Sequence, residues 1–180
     1  MNPEKAKNPM RDIVIDKVVI NMGVGESGEK LRKAARVIEI LVGKDVKVTF
    51  TKAKKTIREF NIRKKLPIGL KVTLRGKKAE DFLRRALWVK EFKVPSYSFD
   101  STGNLNFGIK DHTNFEGVKY DPEIGIFGMD ISVVFKRRGG YRVARRRRAR
   151  SKIPKRHRVT REECMNYMRE KFNLEILELE

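Results

Sequence analysis

A chain of 180 residues with 43 Lys and Arg against 23 Asp and Glu is about one domain of sequence carrying a formal charge of +20. No apolar run approaches the ~20 residues of a membrane span and no apolar leader opens the chain, while the single Cys164 and the separated His112 and His157 offer neither a disulfide nor a readable zinc site. The charge is concentrated, with +11 over Lys44–Lys78, +13 and no acidic residue over Lys136–Arg158, and −4 in the remainder, which favours nucleic acid over an anionic membrane or an acidic protein.

Residues 1–11 mix Asn, Pro and charge and read as a loose arm. Lys17–Gly23 reads as a strand, because Val18, Ile20 and Met22 alternate with Lys17, Val19 and Asn21. The glycine loop Gly23-Val24-Gly25-Glu26-Ser27-Gly28 leads into a helix over Glu29–Val42. Leu31, Ala35, Ile38, Leu41 and Val42 recur at helical spacing, Ser27 is the expected N-cap and Gly43 the stop. The loop matches G-x-G-x-x-G, and Asp45 lies about 20 residues on, as a dinucleotide site would require. Three features oppose that reading. The next strands alternate with Lys and Thr where a parallel sheet would be continuously apolar, Glu26 sits where a pyrophosphate would go, and no second nucleotide-binding half follows. The loop therefore reads as a turn feeding a helix.

The centre of the chain is residues 46–76. Val46, Val48 and Phe50 alternate with Lys47, Thr49 and Thr51, and Leu70, Val72 and Leu74 alternate with Lys71, Thr73 and Arg75. These are two half-buried strands of a hairpin. The connection carries Lys52, Lys54, Lys55, Arg58, Arg63, Lys64 and Lys65, with Pro67 and Gly69 marking re-entry, and leaves room for the strands to extend inward before a cationic tip.

A helix is expected over Ala79–Phe92, with Phe82, Leu83, Ala86, Leu87 and Val89 on its core side and Trp88 packing rather than stacking on a base. Val94–Gly103 reads as a connection, Leu105–Ile109 as a strand, and Asp111–Gly128 as a long ordered loop turning at Asp121-Pro122 and Gly125. Met129, Ile131, Val133 and Phe135 alternate with Asp130, Ser132 and Val134 in a further strand. The basic arm 136–158 contains Gly139-Gly140 and then Arg142, Arg145, Arg146, Arg147 and Arg148. With no acid inside it, the arm is expected to stay extended and to take its order from RNA or DNA. Thr160-Arg161-Glu162-Glu163 is a capping box opening a last helix, with Cys164, Met165, Met168 and Phe172 on its apolar side and Cys164 as packing. Leu174–Glu180 reads as a short strand or a fray.

The fold expected is α+β, one domain over 1–180, with a mostly antiparallel sheet, helices on one face, a long cationic hairpin loop and an extended basic arm. The open face would carry Asn21, Lys47, Thr49, Lys71, Thr73 and Arg75, flanked by Lys44, Lys52, Lys54 and Lys55. A DNA-compacting basic protein is the alternative that charge alone allows, and a nucleotide-dependent enzyme built on the glycine loop ranks behind it.

Several of these stretches together resemble the universal large-subunit ribosomal protein family number five, which binds 5S rRNA. They are Lys17–Gly25, Lys52–Thr56 and Ile62–Gly76, with Tyr120–Asp130 and Gly140–Glu163 similar to the family's archaeal branch. The resemblance implies contact of Asn21 and Thr73 with 5S rRNA. A third family contact is a Gln in a Gly-Gln-Lys-Pro turn; here the turn is Gly43-Lys44-Asp45-Val46, and Lys44 can donate hydrogen bonds but accept none. It also implies a cytoplasmic, ribosomal protein seated in the central protuberance beside large-subunit rRNA and a small-subunit head protein. The hairpin tip, with Arg58, Arg63, Lys64 and Lys65, would lie near the P-site tRNA. No catalysis, cofactor, metal, membrane or obligate homo-oligomer is implied.

Overall fold

A computed structural model of the chain describes residues 8–43 and 45–177; Lys44, most of the expected N-terminal arm and the last three residues lie outside the described residues. Five strands form the main sheet: β1 (Ile13–Gly23), β2 (Thr49–Lys52), β3 (Pro67–Leu74), β5 (Leu105–Ile109) and β6 (Met129–Arg137). They are antiparallel throughout and stand in the order β2-β3-β1-β6-β5. β4 (Lys93–Pro95) pairs in parallel with β7 (Glu175–Leu177) in a separate two-stranded sheet. The helices are α1 (Glu29–Val42), α2 (Lys77–Val89), the short α3 (Arg142–Arg145) and α4 (Arg161–Phe172).

Alternation sets the layers. Val18, Ile20 and Met22 of β1, Leu70, Val72 and Leu74 of β3, and Ile131, Val133 and Phe135 of β6 are all buried. They join Leu31, Val37, Ile38 and Leu41 of α1, Phe82, Leu83 and Leu87 of α2, and Cys164, Met168 and Phe172 of α4 in one core. Each such side chain taken fully out of water contributes about 1.5–3 kcal/mol, so the sheet is held firmly against its helices and its outer face is backed by a packed core. The capping box is present, with Thr160 Oγ1 accepting from Glu163 N and Glu163 Oε2 accepting from Thr160 N.

Several expectations are corrected. The residue capping α1 is Gly28, with no side-chain bond, so Ser27 is not the N-cap. β2 begins only at Thr49, and Phe50 is 47% exposed. It pairs with Leu70 and shares its face, but β2 is the sheet edge, where the flank of α1 around Arg36 and Ile40 leaves it half covered. α2 runs from Lys77 rather than Ala79 and stops at Val89, because Glu91 and Phe92 take left-handed backbone angles. Trp88 is 53% exposed on the outer side of that helix and is not a packing residue. The connection after it contains β4 and a 3-10 turn over Ser96–Ser98. Of the N-terminal arm, Pro9–Arg11 is a 3-10 turn whose Met10 N–H donates to Asn8 Oδ1.

The glycine loop is not followed by a parallel strand. Val24 N–H and Gly25 N–H both donate to Ile68 O, tying the loop to the antiparallel neighbour β3, and Glu26 pairs with Lys30 at 3.1 Å. That pairing removes the topology a dinucleotide site needs.

Candidate nucleic-acid interface

Strand register aligns the outer face into rows. Thr49, Lys71, Asn21, Asp130 and Gly108 lie side by side across β2, β3, β1, β6 and β5. The next row is Thr73, Val19, Ser132 and Asn106, so Thr73 is diagonal to Asn21 on the neighbouring strand. Arg75 follows one step beyond the end of β3. Asn21, Thr49, Lys71 and Thr73 are exposed, and their side chains have no hydrogen-bond partner among the described residues. Lys47 is exposed just ahead of β2. A rigid row of unpartnered donors and acceptors suits sugars and base edges, with Lys71 supplying charge.

The hairpin tip is folded. Ala53 N–H donates to Leu66 O at 2.8 Å and Lys65 N–H to Ala53 O at 2.9 Å, extending the pairing beyond β2 and β3. Ile57 and Ile62 exchange bonds of 2.8 and 3.0 Å around a 3-10 turn, Arg58–Phe60, and Asn61 takes the left-handed conformation that closes it. Lys54, Lys55, Arg58, Arg63, Lys64 and Lys65 are exposed, and Phe60 at the apex is 70% exposed. These cations have no carboxylate within 4.0 Å among the described residues.

The basic arm is anchored at its base, which corrects the expectation of an arm without counter-charge. Asp16, whose side chain is 2% exposed, receives Lys136 Nζ at 2.7 Å, Arg145 Nη2 at 2.6 Å and Arg75 Nη1 at 3.4 Å. Burial would push the Asp16 carboxyl up; the bonds and charges from Lys136 and Arg145 outweigh this and hold it below the usual carboxylate value. Arg137 is buried, donating both to Glu163 at 2.9 Å and to the carbonyls of Arg11 and His157. Between these anchors Arg146 N–H donates to Arg142 O and Ser151 N–H to Val143 O, so the arm doubles back on itself. Tyr141, Ala144 and Ile153 line a groove against Val134 on the sheet's outer side. Of the arm's cations, Lys136, Arg137, Arg138 and Arg145 have acidic partners; Arg142, Arg146, Arg147 and Arg148 have none among the described residues.

Sequence reasoning missed Asp16 and Asp130. A signal for Asp16 was present: the apolar positions Ile13 and Ile15 change phase to Val18 and Ile20, and the structure places a β-bulge there. The bulge is what turns Asp16 under the arm. Cys164 is a packing group, its thiol pushed up to about 12 by burial and by the charge of Asp100. Among the described residues no cluster of His, Cys, Asp or Glu could hold a metal, and no helix is long and apolar enough to cross a membrane.

Comparison with known proteins gives two matching family models, "Ribosomal protein L5" over residues 8–63 and the C-terminal region of that same ribosomal family over residues 67–167. The two stretches interleave in one sheet, since β1 from the first lies between β3 and β6 from the second. The chain is similar to the large ribosomal subunit protein uL5 of Picrophilus torridus, 55% identical over 174 residues, covering 97% of this chain and 98% of that one. It is also similar to the uL5 proteins of Thermoplasma acidophilum (55% identity, 94% and 99% covered) and Sulfolobus acidocaldarius (50% identity, 99% and 98% covered).

Proposed function

The chain belongs to the ribosomal protein L5 family, in its archaeal form, and from that premise we propose that its open sheet face binds 5S rRNA while its hairpin tip reaches the P-site tRNA. It is a structural constituent of the large ribosomal subunit in the cytoplasm and not an enzyme. The observation that carries the 5S reading is the outer row: Asn21, Lys71 and Thr49 abreast with Thr73 diagonal, all exposed and unpartnered on a sheet fixed by its core. Asn21 and Thr73 supply selectivity, while Lys71 and the flanking Lys47, Lys52, Lys54 and Lys55 neutralise phosphate. Lys44 belongs to the same proposed surface by its sequence position alone. Arg142, Arg146, Arg147 and Arg148 are proposed to meet rRNA, with Arg145 holding the arm in place through Asp16, and the protein's remaining neighbour is a small-subunit head protein. The DNA-compacting alternative is disfavoured because α1, α2 and α4 spend their apolar faces on the sheet instead of presenting a reading helix.

Asn21→Ala is expected to weaken 5S rRNA binding by about 1–3 kcal/mol, the cost of losing a well-placed hydrogen bond and stranding its partner. The salt dependence should stay nearly unchanged, since no phosphate charge is touched. Filter binding across a salt series measures both, with duplex DNA as competitor. A large fall in slope would mean that Asn21 acts through neighbouring phosphate contacts.

Replacing Arg63, Lys64 and Lys65 together by Ala should leave 5S rRNA affinity within about 1 kcal/mol, as for distant independent sites. The same variant should lower tRNA occupancy on assembled ribosomes, most clearly at low salt. Loss of 5S rRNA binding instead would assign the tip to the primary site.

A further inference from the structure

Asp130 stands in the row between Asn21 on β1 and Gly108 on β5. It is exposed, and its carboxylate has neither a hydrogen bond nor an ion pair among the described residues. It is the one acid in a row that otherwise holds Thr49, Lys71, Asn21 and Gly108. Asp16, the other acid under this face, is buried beneath three cations, whereas Asp130 is left unneutralised. A free carboxylate repels phosphate and can only accept hydrogen bonds. At a surface that meets RNA, its partners are donors: the amino and imino groups of a base edge or a ribose 2′-hydroxyl.

The surroundings fit one nucleotide. Asp130 lines a cleft of about 490 Å³ with Asn21, Lys90, Gly108, Lys110 and Gly128. Gly108 and Gly128 put no side chain into its lining, and the Gly108 backbone runs close beside Asp130, where an added Cβ would stand 3.4 Å from Oδ1. Lys90 and Lys110 give the cleft cationic walls while Asp130 sits beside the neutral Asn21 amide.

We propose that this cleft takes a single unpaired nucleotide of the RNA, its flanking phosphates held by Lys90 and Lys110, with Asp130 accepting from its donor edge. Guanine suits best, because N1–H and N2–H lie side by side and match the two carboxylate oxygens. Asp130 is thus a specificity residue, rejecting phosphate as well as accepting a donor. This rests on the 5S rRNA reading above.

The test is a crossed comparison of wild type, Asp130→Asn and Asp130→Ala, each checked by thermal melting for an unchanged fold, against 5S rRNA and against poly(U). Both variants should lose roughly ten- to a hundredfold affinity for 5S rRNA. Both should bind poly(U) as well as or better than wild type, because a repulsive charge is gone. A carboxylate that merely faces water would give tighter binding to both RNAs on substitution, and that result overturns the proposal. The donor's source is read by interference mapping with 5S transcripts sparsely substituted by inosine, which lacks the N2 amine, or by 2′-deoxynucleotides. A position that interferes with wild type but not with Asp130→Ala identifies the amine or the hydroxyl; the absence of any such position overturns the proposal. If wild type shows no preference for 5S rRNA over poly(U), the 5S reading falls first. If that preference exists and survives in both variants, only the role of Asp130 falls.

Discussion

Asp16→Ala should lower the stability of the free protein by about 2–3 kcal/mol and release the basic arm from the sheet. Removing one member of a fully buried charge cluster costs about 3–5 kcal/mol. The lower figure applies because Arg75 and Arg145 are more than half exposed and can turn to water, leaving only Lys136 strongly enclosed. Urea unfolding measures the stability, and hydrogen exchange at the N–H groups of Arg146 and Ser151 measures the arm, since both donate within its doubled-back turn. The effect has a defined pH window. The folded Asp16 carboxyl is held below its ordinary value, so its stabilisation is fully present above the unfolded carboxylate pKa of about 3.9. It is lost as the pH falls through the lower folded value. Wild type and Asp16→Asn should therefore converge in strong acid and differ at neutral pH. Unchanged exchange of the arm in the Ala variant would mean that Arg137 and its carbonyl partners hold it without Asp16.

Much of this molecule was legible wherever one physical rule dominated. Period-two alternation in 18–22, 70–74 and 129–135 identified the strands and their buried faces, because each strand has helices on one side and solvent on the other. The same alternation put Asn21, Thr49, Lys71 and Thr73 on one surface. It misled at Phe50, where an edge strand outruns the helix layer that would have covered it. Helical spacing placed α1 from end to end, and in α2 it sets Trp88 four and seven residues after the exposed Arg84 and Asp81, so the packing role expected of Trp88 followed its residue type and not its position. Non-local pairing was invisible. Asp16 and Arg145 are 129 positions apart, and Arg137 and Glu163 belong to different elements, so the arm read as uncompensated charge. Asp130 was visible as an outward residue, but its standing next to Asn21 needed the register of β1 against β6.

The same pairing divides the arm's arginines into two kinds, and RNA binding should report the division. Arg147 and Arg148 are exposed, with no ion pair or side-chain hydrogen bond among the described residues, whereas Arg145 already holds Asp16 at 2.6 Å. A cation that meets phosphate from free solution releases counterions, about 0.7–0.9 of a unit of salt slope for each contact. Replacing Arg147 and Arg148 together by Ala should therefore reduce the slope of log affinity against log salt by roughly 1.4–1.8. At 0.1 M salt that corresponds to a loss on the order of ten- to a hundredfold. Arg145→Ala should change the slope by clearly less than one contact's worth, because RNA would have to draw that guanidinium away from Asp16 to neutralise a phosphate with it. Its main effect should instead be on stability, in parallel with Asp16→Ala. Measuring slopes separately on 5S rRNA and on large-subunit rRNA tells which of them the arm meets, since only that RNA's slope will fall in the double variant. An unchanged slope on both would remove the arm from the RNA-binding surface. An equal fall for Arg145→Ala would show instead that the Asp16 anchor opens on the RNA and that the arm is released in the complex.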